Sequence, residues 1–298
     1  MIKQLTLAAF AAAAVISTAA ADPLQDLGKK LSADHSDAVV WLSVISKISM
    51  SAEGDVAPQI ASALAGQDRE EKGETTGTVI DAASGLIVAA LGGIDKASVV
   101  DGQTVNTPMG EIKLKANSQI KEVKIITADG TEVPADLVMK DDTLGLAFIK
   151  ARMDSDEAKE VEFKGIDLND SAKGELLDRC VVLARMDEAM NRDASAATLE
   201  ITGVTTRPRL FYRVAMEAPG CPVFLENGKL LGISVVRKPA AGASGNQIKL
   251  TPVVLPAADV AKVAEQAKTA EPPKPAPQDE EGEGEDNSED KAEDKDAE

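Results

Sequence analysis

Two dipeptides, Asp129-Gly130 and Asn227-Gly228, constrain the fold more than any other feature of this chain. Each lies between short apolar segments of β character, residues 122–127 with 131–139 and residues 222–226 with 229–236. Each suits the positive φ angles of a tight antiparallel turn. More segments of the same kind surround them. Over residues 39–50, Val40, Leu42, Val44, Ile48 and Met50 recur at period two, as a half-buried strand requires. Residues 78–81 and 85–88 flank a small-residue turn, and 180–184, 199–204, 210–215 and 247–250 read as further strands. The stretch 207–213, with Phe211 and Tyr212, reads as one strand with its charges on the solvent face. Many short strands at this spacing predict an all-β fold of antiparallel barrels or sandwiches, not a parallel βαβ sheet.

The strand-bearing region is long for one small barrel and comfortable for two. The acidic stretch 153–162 is the natural linker, which places one barrel at 38–152 and the other at 163–270. After Pro256, residues 257–270 form the one clear helix, with Val260 and Val263 on one stripe.

The two ends differ in kind from this middle. Met1-Ile2-Lys3, an apolar run over 5–16 and Ser17-Thr18-Ala19-Ala20-Ala21 have the form of a signal peptide over 1–21, with cleavage expected after Ala21. The alternative is a retained anchor, but the run falls short of the roughly 20 residues that span a bilayer. No later segment reads as a membrane span. The expected location is the periplasm or the outside of the cell, with 22–37 as an N-terminal segment. At the other end, 271–298 holds 13 acidic and 3 basic residues behind Pro272, Pro273, Pro275 and Pro277. Such a segment has little to bury and repels itself, so a disordered acidic tail is expected. It serves solubility, weak calcium capture or docking to a basic partner.

Charge and composition exclude whole classes of function. A net charge of −18 with 5 Phe, 1 Trp and 1 Tyr argues against a nucleic-acid partner, which needs basic surface and stacking rings. With a single histidine, His35, any mechanism that uses an imidazole base must run through that residue. Asp34-His35-Ser36 looks like a triad in miniature, but chain neighbours do not aim at each other, and the stretch reads as an exposed loop or helix cap. Residues 167–178 have a superficial likeness to a calcium loop. The glycine at 174 stands in the eighth place instead of the sixth, so a polar turn is expected. No metal site and no cofactor motif is read.

The order of segments resembles the trypsin-like (chymotrypsin-fold) serine proteases, in particular the HtrA type. Thr76-Gly77-Thr78-Val79-Ile80-Asp81 and Ser84-Gly85-Leu86-Ile87-Val88 are similar to the strand pair before that family's catalytic histidine. Residues 128–136 with Asp141-Asp142-Thr143-Leu144-Gly145-Leu146-Ala147 resemble the surroundings of its aspartate. Ala218-Pro219-Gly220-Cys221-Pro222-Val223-Phe224 resembles the strand at its serine, and Thr251-Pro252-Val253-Val254 its closing segment. The resemblance implies two six-stranded barrels with a cleft between them. At the catalytic places it departs: Gly92 stands where the family has histidine, Gly145 where it has aspartate and Pro219 where it has serine.

A serine hydroxyl is a poor nucleophile without a bonded base, so the resemblance implies a pseudoprotease with no catalytic residues. Its expected role is binding or scaffolding, by strand addition of an extended polypeptide or an envelope protein. The alternative is an active endopeptidase with a displaced site, built on Cys221 or on a Ser-Lys pair. A third reading is a passive envelope component whose acidic tail carries the function. Cys180 and Cys221 are the only cysteines, and the resemblance places both in the second barrel on or beside neighbouring strands. A disulfide and two buried free thiols stand level as readings, with a catalytic Cys221 behind them.

Overall fold

The computed structural model describes residues 22–54, 56, 58–65, 69–107, 110–238 and 250–272. The signal-peptide reading of 1–21 and nearly all of the acidic tail lie outside these residues.

The chain opens with helix α1 (Pro23–His35), capped by Asp22, whose side chain accepts the Leu24 N–H, with Pro23 at the first helical position. A 3-10 turn (Ser36–Ala38) leads into β1 (Val39–Glu53), α2 (Pro58–Ala65), β2 (Arg69–Asp81) and β3 (Leu86–Ala90). Short helices α3 (Leu91–Ile94) and α4 (Ala97–Val100) precede β4 (Thr104–Thr107), β5 (Gly110–Ile126), β6 (Glu132–Asp141) and β7 (Leu146–Ala151). The turn α5 (Asp156–Lys159) sits between the halves. The second half contains β8 (Arg179–Arg185), β9 (Ala194–Thr205), β10 (Phe211–Val214), β11 (Pro222–Leu225), β12 (Leu230–Arg237), β13 (Thr251–Pro256) and helix α6 (Ala257–Thr269).

The strand ladders close twice. The first ring runs β1-β2-β3-β7-β6-β5 and returns through a β1–β5 pairing, with β4 added outside β5. The second ring runs β10-β13-β12-β11-β8-β9. Both are antiparallel, so the chain forms two six-stranded antiparallel barrels with a C-terminal helix. Each hairpin dipeptide does the work its sequence requires: Gly130 and Gly228 adopt φ of 86° and 81°.

Leu42, Val44, Val79, Ile87, Ile125 and Ile149 fill the first barrel. A larger cluster fills the second barrel and continues across the junction to Val39, Val88 and Phe148. Trp41 Nε1 donates to Met186 O at 2.9 Å across that junction. The Arg185 guanidinium, buried at the start of β1, donates to the carbonyls of Val39, Ser36 and Arg192. Burial pulls its pKa below the ordinary arginine value, and Asp37 and Asp193 act against that. Three backbone carbonyls and a nearby carboxylate are what make a buried guanidinium tolerable.

Several sequence expectations meet a different local structure. Of the two readings of Asp34-His35-Ser36, the helix cap holds and the loop does not: His35 is the last residue of α1, Ser36 caps it, and the His35 ring stacks on Phe224 at 5.6 Å between centroids. Residues 207–213 do not form one strand; residues 206–210 are turn and loop and only Phe211–Val214 is β10. Of the expected strand 247–250, Leu250 alone is described and it precedes β13, which spans Thr251–Pro256. In the stretch 167–178, Asp167 Oδ1 accepts the Asn169 N–H at 2.8 Å, which shapes a tight polar turn.

Candidate functional site

Gly92, Gly145 and Pro219, the places singled out by the resemblance, lie in two groups at the junction of the barrels. Gly92 lies in α3 just beyond β3, and Gly145 lies in the turn before β7. The Leu91 N–H donates to Gly145 O at 2.8 Å, so the two turns are bonded side by side. Both glycines line a cavity of about 340 Å³ whose wall continues through Val99, Val236, Arg237 and Lys238. Gly145 has a φ of 72°, and a Cβ there would come within 3.3 Å of Val236 O. The glycine is therefore demanded by the turn and by the approach of β12.

The second group is the loop at 218–221. Thr76 Oγ1 donates to Pro219 O at 2.5 Å, and Thr78 Oγ1 donates to Gly220 O at 2.7 Å. Cys221 Sγ is 3.3 Å from Thr76 Oγ1. Gly220 sits at φ 83°, and a Cβ on it would fall 2.1 Å from Thr76 O. β2 of the first barrel thus lies directly on this loop of the second, and only glycine fits between them. Net hydrogen-bond contributions of about 1 kcal/mol each make the pair of threonines a modest but specific clamp.

The clamp decides the chemistry. An acyl-transfer site needs N–H groups aimed at open space, where an oxyanion can accept them. Here Pro219 has no N–H at all. The Gly220 N–H donates to Ser234 O at 2.8 Å, and the Cys221 N–H donates to Ala218 O at 3.4 Å. The carbonyls of Pro219 and Gly220 point at hydroxyl donors. From residues 219 to 221, every backbone N–H that exists is engaged within the protein.

The one histidine of the sequence is not part of the cavity at Gly92 and Gly145: His35 stacks on Phe224. In the cavity wall Lys238 and Ser98 do meet, but Lys238 Nζ donates to the Ser98 carbonyl at 2.9 Å. The Ser98 hydroxyl itself donates to Asp95 O at 2.6 Å. A Ser-Lys mechanism needs the amine on the hydroxyl, so this pair does not supply one.

Cys221 is fully buried, and burial pushes its thiol up to about 11, with the Thr76 contact acting weakly the other way. A thiol held protonated and sealed from solvent is no nucleophile at neutral pH. Cys180, also buried, is likewise pushed up to about 11 by burial.

Both cysteines are free thiols, the second of the two level readings. The β8–β11 ladder gives the reason. Cys180 stands opposite Leu225, four residues along from Cys221. At about 3.3 Å per residue that offset is about 13 Å, well beyond the roughly 7 Å that a disulfide spans between Cα atoms.

Among the described residues, no group of three or more His, Cys, Asp or Glu side chains is placed to hold a metal ion. No described helix is long and apolar enough to cross a membrane.

No protein-family model matches the chain, and no curated protein matches it in sequence. Among solved structures it is similar to the MamO protease domain from Magnetospirillum magneticum in its apo form. The identity is 12% and the TM-score 0.44, over 77% of this chain and 97% of that one. The double barrel rests on the ladders themselves, and nothing about activity is taken from so distant a likeness.

The residues that sequence reasoning missed are Thr76 and Thr78. In the sequence they read as part of a strand, and nothing local marks them as partners of a loop more than 140 positions away.

Proposed function

We propose that this chain is an exported, trypsin-like pseudoprotease of HtrA type that binds extended polypeptide at the junction of its barrels. The observation that carries the reading is the clamped loop at 219–221. Its carbonyls are held by Thr76 and Thr78, its N–H groups are engaged and no base stands beside it. Export rests on the leader-like residues 1–21 alone.

Binding is supported by the open cavity at Gly92 and Gly145. Its wall combines apolar Val99, Val236 and Leu250 with the cations of Arg237 and Lys238. Arg237 is held over the Phe211 ring at 4.4 Å, a stacking that fixes its position. Apolar side chains with a few placed charges are the usual lining of a site that orients a ligand.

The test uses fluorescence anisotropy with labelled, reduced casein as the unfolded chain. The protein is expected to bind it without cleaving it. Thr143 is exposed in the turn that forms one lip of the cavity, so Thr143→Trp fills the space with little effect on the fold. That variant is expected to bind at least about tenfold more weakly at unchanged melting temperature. Fragments of casein, or equal binding by the variant, would contradict the reading.

A further inference from the structure

Two cations in the wall of the junction cavity, Arg237 and Lys238, have no acidic partner among the described residues. Other arginines differ. Arg179 is bonded to the Asp22 carboxylate, Arg192 to Glu74 and the buried Arg185 to three backbone carbonyls. Arg237 is half-buried, yet its guanidinium makes no hydrogen bond and no ion pair with a described residue. Its fixed contact is the face of the Phe211 ring, at 4.4 Å.

That contact orients the group and leaves its edge free. A guanidinium stacked on a ring keeps its N–H donors in the plane, and this planar fork matches the two oxygens of a carboxylate. Little side-chain freedom remains to be lost when such a ligand arrives. Lys238, next on the chain, is exposed; its Nζ gives one proton to Ser98 O at 2.9 Å and keeps two. One carboxylate, Asp142, also lines the space, exposed on the first-barrel side and in no ion pair with a described residue.

The remaining wall is largely apolar. Leu91 and Leu144 are buried there, and Val99 and Val236 half-buried. A volume of about 340 Å³ stands at the lower end for a ligand site, room for a few side chains and not for a long strand. The net charge of −18 opposes an acidic ligand at long range. At physiological salt that repulsion is screened beyond about 8 Å, while contacts inside the cavity are screened much less.

We propose that this cavity selects a carboxylate beside an apolar side chain in an extended polypeptide, with Arg237 gripping the two oxygens and Lys238 adding a second charge. The proposal rests on the reading of the cavity as a polypeptide site and specifies what that site takes. An Asp or Glu side chain and a free chain end present the same group to the same two cations.

Fluorescence anisotropy on the full chain, at physiological salt, tests it with three labelled peptides. The first is Ser-Gly-Leu-Glu-Val-Gly-Ser with an amidated end. The second carries Gln in place of Glu. The third is the Gln sequence stopped at Val with a free carboxylate. At least one acid peptide is expected to bind about tenfold or more tighter than the neutral amide. Tight binding of the first assigns the carboxylate to a side chain, and tight binding of the third to a chain end. Arg237→Gln is expected to bring acid and neutral peptides within about twofold of each other. Because Arg237 also packs on Phe211, Lys238→Gln at an exposed position is the second variant. It is expected to narrow the preference by about threefold at unchanged melting temperature. Acid and neutral peptides bound alike, or a preference that both variants retain in full, would overturn the proposal. Reduced casein separates the two readings. Casein held by the wild type while the peptides show no preference removes the carboxylate selection alone; no binding of casein or of any peptide removes the polypeptide site with it.

Discussion

The two ends of the inter-barrel junction differ in how they are held. At Gly92 and Gly145 two turns of the first barrel, joined by one backbone bond, face Val236 to Lys238 of the second across about 340 Å³ of open space. At 219–221 the barrels are in direct contact, with two threonine hydroxyls on two carbonyls and β2 against the Gly220 backbone. The first end is open. The second is filled by its own backbone contacts. In that loop the Gly220 and Cys221 N–H groups are engaged within the protein, by Ser234 O and Ala218 O.

The strongest way to break this comparison is Gly220→Ala. Its Cβ would fall 2.1 Å from Thr76 O at φ 83°, so strain and overlap combine. A loss of about 4 kcal/mol is expected, seen as a drop of about 10 °C in Tm by calorimetry. A drop below about 2 °C would show that the two surfaces are not in contact.

The next effect is one of pH. Both thiols are raised by burial from 9.0 to about 11, so the folded state holds protons that the unfolded chain releases. Their contribution is complete below about pH 9 and is lost as pH rises toward 11. Urea midpoints should be flat from pH 7 to 8.5 and fall above pH 9, by about 2 kcal/mol per thiol at most. The fall should be shallower in Cys180→Ala/Cys221→Ala. An unchanged slope in that double variant would place the sensitivity elsewhere.

Thr76→Val keeps the shape of the side chain and removes its donor, leaving Pro219 O without its partner. It should cost about 2 kcal/mol and speed iodoacetamide modification of Cys221 in the native protein. Modification as slow as in wild type would mean the clamp does not seal the loop. The smallest effect is expected at the open end. For Gly92→Ala the obstacle is the Val99 Cγ2 methyl, a movable side chain, so the loss should be about 1 kcal/mol by the same melt.

The strands were legible because period-two patterning and the Asp129-Gly130 and Asn227-Gly228 turns are local signals. α6 was legible as well, with its stripe following Pro256. What was lost had one of two causes, a stronger competing signal or a distant partner. Asp22-Pro23 is a helix start, but it also follows Ala21 as the flank of a cleavage site, and α1 went unread. β9 begins at Ala194 and not at 199, because a run of alanine and serine carries no strand propensity and is held there only by β8. At the junction, the expectation at Gly92, Gly145 and Pro219 came from the chain alone. The engagement of their backbone did not, since Thr76, Thr78 and Ser234 reach the loop through tertiary contact.

The central claim, that no hydroxyl or thiol at this junction is activated, is tested most directly by intact-mass analysis after exposure to a fluorophosphonate probe at neutral pH. The account predicts an unmodified mass. An adduct on one serine, abolished together with peptide turnover by changing that serine to alanine, would contradict it.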